Sequence, residues 1–490
     1  RIDKKMSSID LNKRVVFLFF MIYLCINSSF LYAFQFIKLN INTMSYPYTA
    51  MILVLVDCGT LILGGMLATF LIRAQYLFYL SIGCFVIGVP ILLFKTPFTD
   101  PTLYWVTHVL IGLSFGLFKF IYLVALIDQN DRRYIKFIVA FFLFTESICY
   151  LIVYTFTPNT DTVEKIWNLN YARLALAGFG AILVVIGCFL KLFEKDTEVI
   201  ELYGIIQFFR QRRFAGNLDH SILNNTETVD FRKVIISISK SVIVFFLLIP
   251  YGICDSQEFY AYEFQSNSLN QSNLLFNHFK SNFWCNTISA FTVMATLLIL
   301  FAVRFCNENK FDAIYSNIKT KIILGNSLMI ISTLICGALE TYRLSMLWTD
   351  NNSTLTPNYK NVIIDNTTYH VVDISVFWMV PQNILLSFSE VLIVPTCIEY
   401  VIDKSEKSTK YLSIVLVFSA VNIGGISDLI SMSMDFKGLF RTEFDSPGKF
   451  IHRLDHVLYI ISSISVVSLV VSVMLMTRFE RYFSTSKNPQ

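Results

Sequence analysis

Residues 374–410 read ISVFWMVPQNILLSFSEVLIVPTCIEYVIDKSEKSTK. The first three quarters of this stretch are a long apolar run, broken by Pro381, Gln382 and a single mid-run carboxylate, Glu390. It ends in a cluster of basic residues, Lys404, Lys407 and Lys410. Roughly 18 or more consecutive residues of low charge are what a membrane-spanning helix requires. Basic residues at its end mark the side that stays in the cytoplasm.

The pattern recurs along the whole chain. Apolar segments fall at about 15–37, 48–71, 75–94, 103–127, 134–156 and 170–193, and resume at 234–253, 282–305, 320–340, 374–402, 409–432 and 454–477. The composition agrees, with 55% hydrophobic residues, 15% charged residues and a mean hydropathy of +0.59 over 490 residues. Soluble domains carry roughly a quarter charged residues. The expected fold is therefore all-α, a polytopic membrane protein of about twelve transmembrane helices. Its expected units are an N-terminal six-helix bundle (1–193), a basic central loop (194–233) and a C-terminal six-helix bundle (234–490). The first segment is too long for a signal-peptide core and is read as a permanent helix.

Alternate connections, beginning with the N-terminus, hold more than twice as many Lys and Arg as the opposite set. Lys4, Lys5, Arg132, Arg133, Arg212, Arg213 and Arg478 are among them. This bias places both termini and the central loop in the cytoplasm. Glycosylation sequons at Asn352 and Asn366 fall in the opposite set, as acceptors must, although a third at Asn224 falls in the central loop. A net charge of +4, spread over short loops, argues against a nucleic-acid partner. The ten cysteines form no CxxC pattern and sit mostly inside apolar runs, as small fillers. Cys254 and Cys285 are close enough to helix ends to approach one another, with no pairing assigned. No metal-ligand spacing and no phosphate-binding glycine loop occurs, and the scattered histidines form no catalytic constellation, so no cofactor and no enzymatic activity are expected.

Ionisable residues inside spanning helices cost about 2.5–3.5 kcal/mol each on insertion scales, which makes each a functional candidate. Asp57, Lys119, Glu146, Asp255, Glu258, Glu390 and Glu399 are such residues. Lys119 and Glu390 lie mid-span in opposite halves. There they suit the two ends of a zwitterion or a proton relay, against the plainer reading of an ion pair that only locks helices. Asp57 and Glu146 are candidate partners for Lys119. Glu258, Glu399 and Asp255 lie near helix ends, where solvation is the plain reading.

Four blocks in the quoted stretch then stand out: Val380-Pro381-Gln382, Glu390-Val391, Ile398-Glu399-Tyr400 and Lys407-Ser408-Thr409-Lys410. Their order and spacing resemble the I-P-Q, G-E-V, L-E-F and K-S-M-K blocks of the proton-dependent oligopeptide transporters, a family of the major facilitator superfamily. Gly116-Leu117-Phe118-Lys119 with Asp128-Gln129 is similar to the family's G-G-I-K-P and D-Q blocks. Tyr251, Asp255 and Gln257 look like a looser W-x-x-x-D-x-Q.

The first segment departs from the pattern. Where the family carries E-x-x-E-R-F-x-Y-Y-G, this chain has Cys25-Ile26-Asn27-Ser28-Ser29-Phe30-Leu31-Tyr32-Ala33-Phe34. Both glutamates and the arginine are gone, whereas Phe30 and Tyr32 remain. The resemblance implies a monomeric carrier of di- and tripeptides in the plasma membrane, driven by protons and working by alternating access of two halves. It also implies that Lys119 and Tyr32 meet the peptide carboxylate, that Glu390 meets its amino end, and that Tyr251 and Asp255 line the second half. Because the first-segment acids are lost, two outcomes stay open. The proton titrates on Asp57, Glu146 or Glu390, or the protein is a carrier of another small solute without proton coupling. A receptor-like relative that does not transport is a third reading, and retention of Lys119 and Glu390 weighs against it.

Overall fold

In the computed structural model, the described residues are 20–28, 74–91, 101–128, 135–156, 231–258, 261–270, 281–306, 318–351, 354–357, 359–364, 367–405, 409–436, 441–443 and 450–485, with isolated positions 59, 62–64, 66, 67, 178 and 182. The expected segments 48–71 and 170–193, nearly all of the central loop, Tyr32, Asp57, Asn352 and Asn366 lie outside them.

A short helix α1 covers 20–28. The longer helices are α2 (Ala74–Ile91), α3 (Pro101–Asp128), α4 (Ile135–Phe156) and α5 (Phe231–Asp255). After the short α6 (Ala261–Asn267) come α7 (Ser281–Cys306), α8 (Ile318–Ser345), α9 (Val380–Lys404), α10 (Lys410–Phe436) and α11 (Leu454–Thr485). Their bounds follow the apolar runs because a backbone in hydrocarbon must satisfy its own polar groups, which a helix does within itself. Among the described residues, four helical stretches are long and apolar enough to cross a membrane: Ile236–Asp255, Ile318–Ser345, Val376–Asp403 and Leu454–Leu475.

Several boundaries differ from the sequence reading, that of α11 by eight residues, since it runs to Thr485 where 477 was expected. The tenth segment was expected to begin at 374, but α9 begins at Val380, with Pro381 in its first turn. Proline suits that turn, whose N–H groups have no helical acceptor anyway. The apolar residues before it belong to a strand, Thr367–Ser375, and a 3-10 turn, Val376–Met379, at which the Ser375 hydroxyl accepts from the Phe377 N–H. The ninth segment was expected to end at 340, but α8 continues to Ser345.

Strands also qualify the all-helical expectation. They are confined to connections: β1 (Leu269–Asn270), β2 (Trp348–Asn351), β3 (Thr354–Pro357), β4 (Lys360–Ile364), β5 (Thr367–Ser375), β6 (Arg441–Glu443) and β7 (Phe450–His452). β5 is central to a three-stranded sheet, pairing antiparallel with β4 and parallel with β1. The described strand β5 of the connection between α8 and α9 is therefore tied to β1, just after the end of α6.

Helix packing uses small and hydroxylic residues, as expected where lipid offers no hydrophobic drive between helices. α5 meets α10 through Ser237–Thr409 and Ser241–Ser413, each at 2.7 Å. The Ser289 and Ser387 hydroxyls join α7 to α9 at 2.9 Å, and Ser389 donates to the Gly325 carbonyl at 2.8 Å across α9 and α8. The closest approach is between α5 and α10. A Cβ on Gly252 would stand 2.6 Å from the Ala420 carbonyl oxygen, and one on Gly424 would collide with the Gly252 carbonyl. Cys254, read from sequence as a conceivable partner of Cys285, is a buried free thiol 3.3 Å from the Ser465 hydroxyl.

Candidate functional site

Lys119 lies on α3, between Phe118 and Phe120 in a run with no other charge until Asp128. Its ammonium donates to Glu146 Oε1 of α4 at 2.6 Å, with the two side chains 24% and 10% exposed. The acid that the sequence offered as a substitute partner is thus in contact. α3 and α4 are consecutive, so their pairing needs no long-range rearrangement.

Around this pair the neighbouring helices supply rings. Tyr23 of α1, Phe118 and Tyr122 of α3, and Phe142 of α4 form one buried cluster, with centroid separations from 4.4 to 6.0 Å. Phe142 meets Phe418 of α10 edge to face at 6.1 Å. The Lys119 ammonium also lies 5.8 Å from the Phe418 centroid. Such a cation–ring contact is favourable by roughly 0.5–2 kcal/mol, more where water is excluded. Lys119 therefore stands where the earlier and later helices meet.

From the later half, Tyr251 and Asp255 come to the same place. They are one turn apart on α5, and the Tyr251 hydroxyl donates to Asp255 Oδ1 at 3.0 Å. Lys119 and Glu146 both act electrostatically on the Asp255 carboxylate. Asp255 is half-buried at the last position of α5, within electrostatic reach of Lys119 and Glu146. Glu390 is half-buried in α9, which packs against α4, the helix carrying Glu146. Tyr32 and Asp57 lie outside the described residues.

A second polar centre escaped the sequence reading. Glu340 and Arg343 of α8 are buried, 0% and 3% exposed, and form a two-pronged ion pair at 2.7 and 2.9 Å. Gln265 of α6 donates to the Cys336 carbonyl at 3.0 Å and accepts from Gln382 of α9 at 3.2 Å. Tyr262 shares a 2.7 Å hydrogen bond with Ser332, which donates to the Gln382 carbonyl. These contacts fasten α6 to α8 and α9. The signal in the sequence is opposite charge at i and i+3, which puts both groups on one helix face. Removing one member of a buried pair strands the other, at a cost of about 3–5 kcal/mol, whereas exchanging both for apolar residues is often neutral. Glu340→Leu alone is accordingly expected to lower the unfolding temperature in detergent far more than Glu340→Leu with Arg343→Met. Equal losses would show that the pair has a role beyond packing.

Apolar helices long enough to cross a membrane, enclosing a buried ion pair, define an integral membrane protein. Similarity to known proteins sharpens this class. The model of the POT family (PTR2) matches residues 179–438, more than half of the chain, and the chain belongs to that family. No curated protein matches in sequence. Solved structures match over nearly the full length. The POT family transporter PepTSo is 13% identical, with a TM-score of 0.64 over 96% of this chain and 98% of its own. A POT family transporter in complex with 5-aminolevulinic acid is 13% identical, with a TM-score of 0.63 over 95% and 96%. An auto-inhibited POT family peptide transporter is 12% identical, with a TM-score of 0.60 over 95% and 97%. At such identities these likenesses speak for the fold.

Proposed function

We propose that this protein carries di- and tripeptides across the plasma membrane by proton symport, through alternating access of two six-helix halves (1–193 and 234–490) joined by a cytoplasmic loop (194–233). The observation that carries this reading is the Lys119–Glu146 pair, 2.6 Å apart and within electrostatic reach of Asp255, in a chain of the POT family. An ammonium in a membrane interior is costly and suits an anionic substrate group. Lys119, with Tyr32, receives the peptide carboxylate, and Glu390 receives the amino end. Tyr251 and Asp255 line the passage from the later half. The protein works as a monomer, with both termini in the cytoplasm, and is a carrier without enzymatic activity.

The test is uptake of a labelled dipeptide into vesicles containing the purified protein, with and without an inward proton gradient. Gradient-driven accumulation that Lys119→Ala and Glu390→Gln abolish is the expected result. Absence of dipeptide uptake under every condition overturns the peptide reading. Loss of the first-segment acids favours one alternative, a carrier for another small zwitterion, and 5-aminolevulinic acid is the probe to try beside the dipeptide. We also propose glycans at Asn352 and Asn366, which in sequence fall between β2 and β3 and between β4 and β5. Enzymatic deglycosylation should increase gel mobility, and Asn352→Gln with Asn366→Gln should abolish that shift.

A further inference from the structure

Of the four spanning stretches among the described residues, the one on α11 is the least enclosed by protein. A groove of about 530 Å³ runs along it, between Phe246 of α5 and residues 463–475. Ile464, Val467 and Val471 stand exposed on one side and Phe246 on the other, and the shorter Ser468 and Ser472 leave the space between them. The hydroxyls at either end are engaged within the protein. Ser463 donates to the Tyr459 carbonyl at 2.8 Å, and Ser472 to the Phe246 carbonyl at 3.2 Å. The groove therefore offers apolar surface to whatever lies in it.

Its length and position fit one leaflet of a bilayer. Residues 463–475 cover about 18 Å of helix. The hydrocarbon layer is roughly 30 Å thick, so the groove is about one leaflet deep. It lies at the carboxyl end of the apolar stretch Leu454–Leu475, beyond which α11 continues to Thr485. Arg478 follows Leu475 by three residues, which puts it on the same helix face, and it is exposed. α5 runs antiparallel to α11, with Cys254 against Ser465 and Phe246 against Ser472. Six residues further along each helix, that register sets the half-buried Lys240 level with Arg478. Arg232 and Lys233 follow about two turns on, at the start of α5. An apolar trough thus ends in a basic cluster. A guanidinium binds phosphate through two parallel hydrogen bonds, and basic residues beside a span attract anionic lipid. A soluble anion would use the basic end alone and a neutral lipid the trough alone, whereas a phospholipid of net negative charge uses both.

We propose that the groove between α5 and α11 is a binding site for an anionic phospholipid. One acyl chain lies along Ile464, Val467 and Val471, and Arg478 holds the phosphate. With both termini cytoplasmic, as proposed above, the lipid belongs to the inner leaflet. The site is separate from the Lys119–Glu146 pair and does not depend on what the protein carries. α5 also bears Tyr251 and Asp255, so a lipid seated here rests on a helix of the proposed passage.

Photolabelling of the full-length protein in lipid nanodiscs tests this without any substrate. The probe is phosphatidylglycerol with a diazirine on one acyl chain, used beside phosphatidylcholine with the same chain. The phosphatidylglycerol probe should label the peptides containing Phe246 and residues 463–475 several-fold more than the phosphatidylcholine probe does. Unlabelled phosphatidylglycerol should compete, and inorganic phosphate should not. Arg478→Glu should lower phosphatidylglycerol labelling to the phosphatidylcholine level and leave the latter unchanged, which shows that the groove is intact. Val467→Trp, at an exposed position, fills the groove and should reduce labelling by both probes. Equal labelling by the two probes, or labelling that Arg478→Glu does not alter, is ordinary boundary lipid and overturns the proposal. Labelling that inorganic phosphate abolishes, or that Val467→Trp leaves intact, also overturns it. Dipeptide uptake does not enter the measurement, so the lipid site and the peptide reading fail separately.

Discussion

Lys119→Ala is expected to abolish gradient-driven dipeptide accumulation and to destabilise the protein by about 3–5 kcal/mol, the usual cost of leaving one member of a buried pair without its partner. The reason is visible in the geometry. Glu146 is about a tenth exposed and its carboxylate touches the Lys119 ammonium at 2.6 Å, so alanine leaves a carboxylate among aromatic rings. Part of that cost disappears if the stranded acid is neutralised. Lys119→Ala with Glu146→Gln should therefore unfold at a higher temperature than Lys119→Ala alone, while transport stays lost in both. Stability and transport then separate, because neutral residues relieve the buried charge and do not supply a cation for the substrate. If the double variant is no more stable than the single one, the pair does not carry the energetic weight assigned to it.

Gly424→Leu is the second substitution of large effect. The α5 and α10 backbones touch at Gly252 and Gly424, where any side chain meets main-chain atoms that cannot rotate away. Overpacking of an ordinary core costs roughly 1–3 kcal/mol, because side chains there yield. Backbone does not, so a loss at or above the upper end is expected. Pro250 lies two residues before Gly252 and removes a helical N–H at the same level, so α5 has little rigidity with which to resist. Gly252→Ala adds one methyl group 2.6 Å from the Ala420 carbonyl and should show a smaller loss in the same direction. Thermal unfolding in detergent, followed by loss of monodisperse protein, measures both. A Gly424→Leu protein as stable as the parent would mean that the two helices do not approach as described.

Much of this molecule was legible in its sequence, for a plain reason. Hydrocarbon imposes one secondary structure and charges within it are costly, so apolar runs locate helices and stray ions locate the site. Lys119 and Glu146 were readable that way, and so was their pairing as one of two options. Asp255 was singled out by the resemblance and not by its position, because distance along a helix does not reveal what another helix brings alongside. The start of α9 was misread for a different reason. β5 ends in Val371-Val372-Asp373-Ile374-Ser375, which is apolar enough to merge with the span that follows, and Pro381 was the better boundary marker. Glu340 and Arg343 escaped notice because the ninth span was taken to stop at Glu340. Beyond a supposed helix end, charges excite no suspicion.

That last pair also bears on how the protein enters its membrane. Two ions three residues apart on α8 neutralise one another within a single segment. The segment can leave the aqueous channel of the insertion machinery carrying a closed dipole, with no need to wait for a partner helix. The nearest charge to Lys119 within α3 is Asp128, nine residues on, and the counterion Glu146 lies on α4, the next segment to be synthesised. The Glu340–Arg343 dipole closes within α8 itself, whereas the Lys119–Glu146 pair closes only once α3 and α4 are both present.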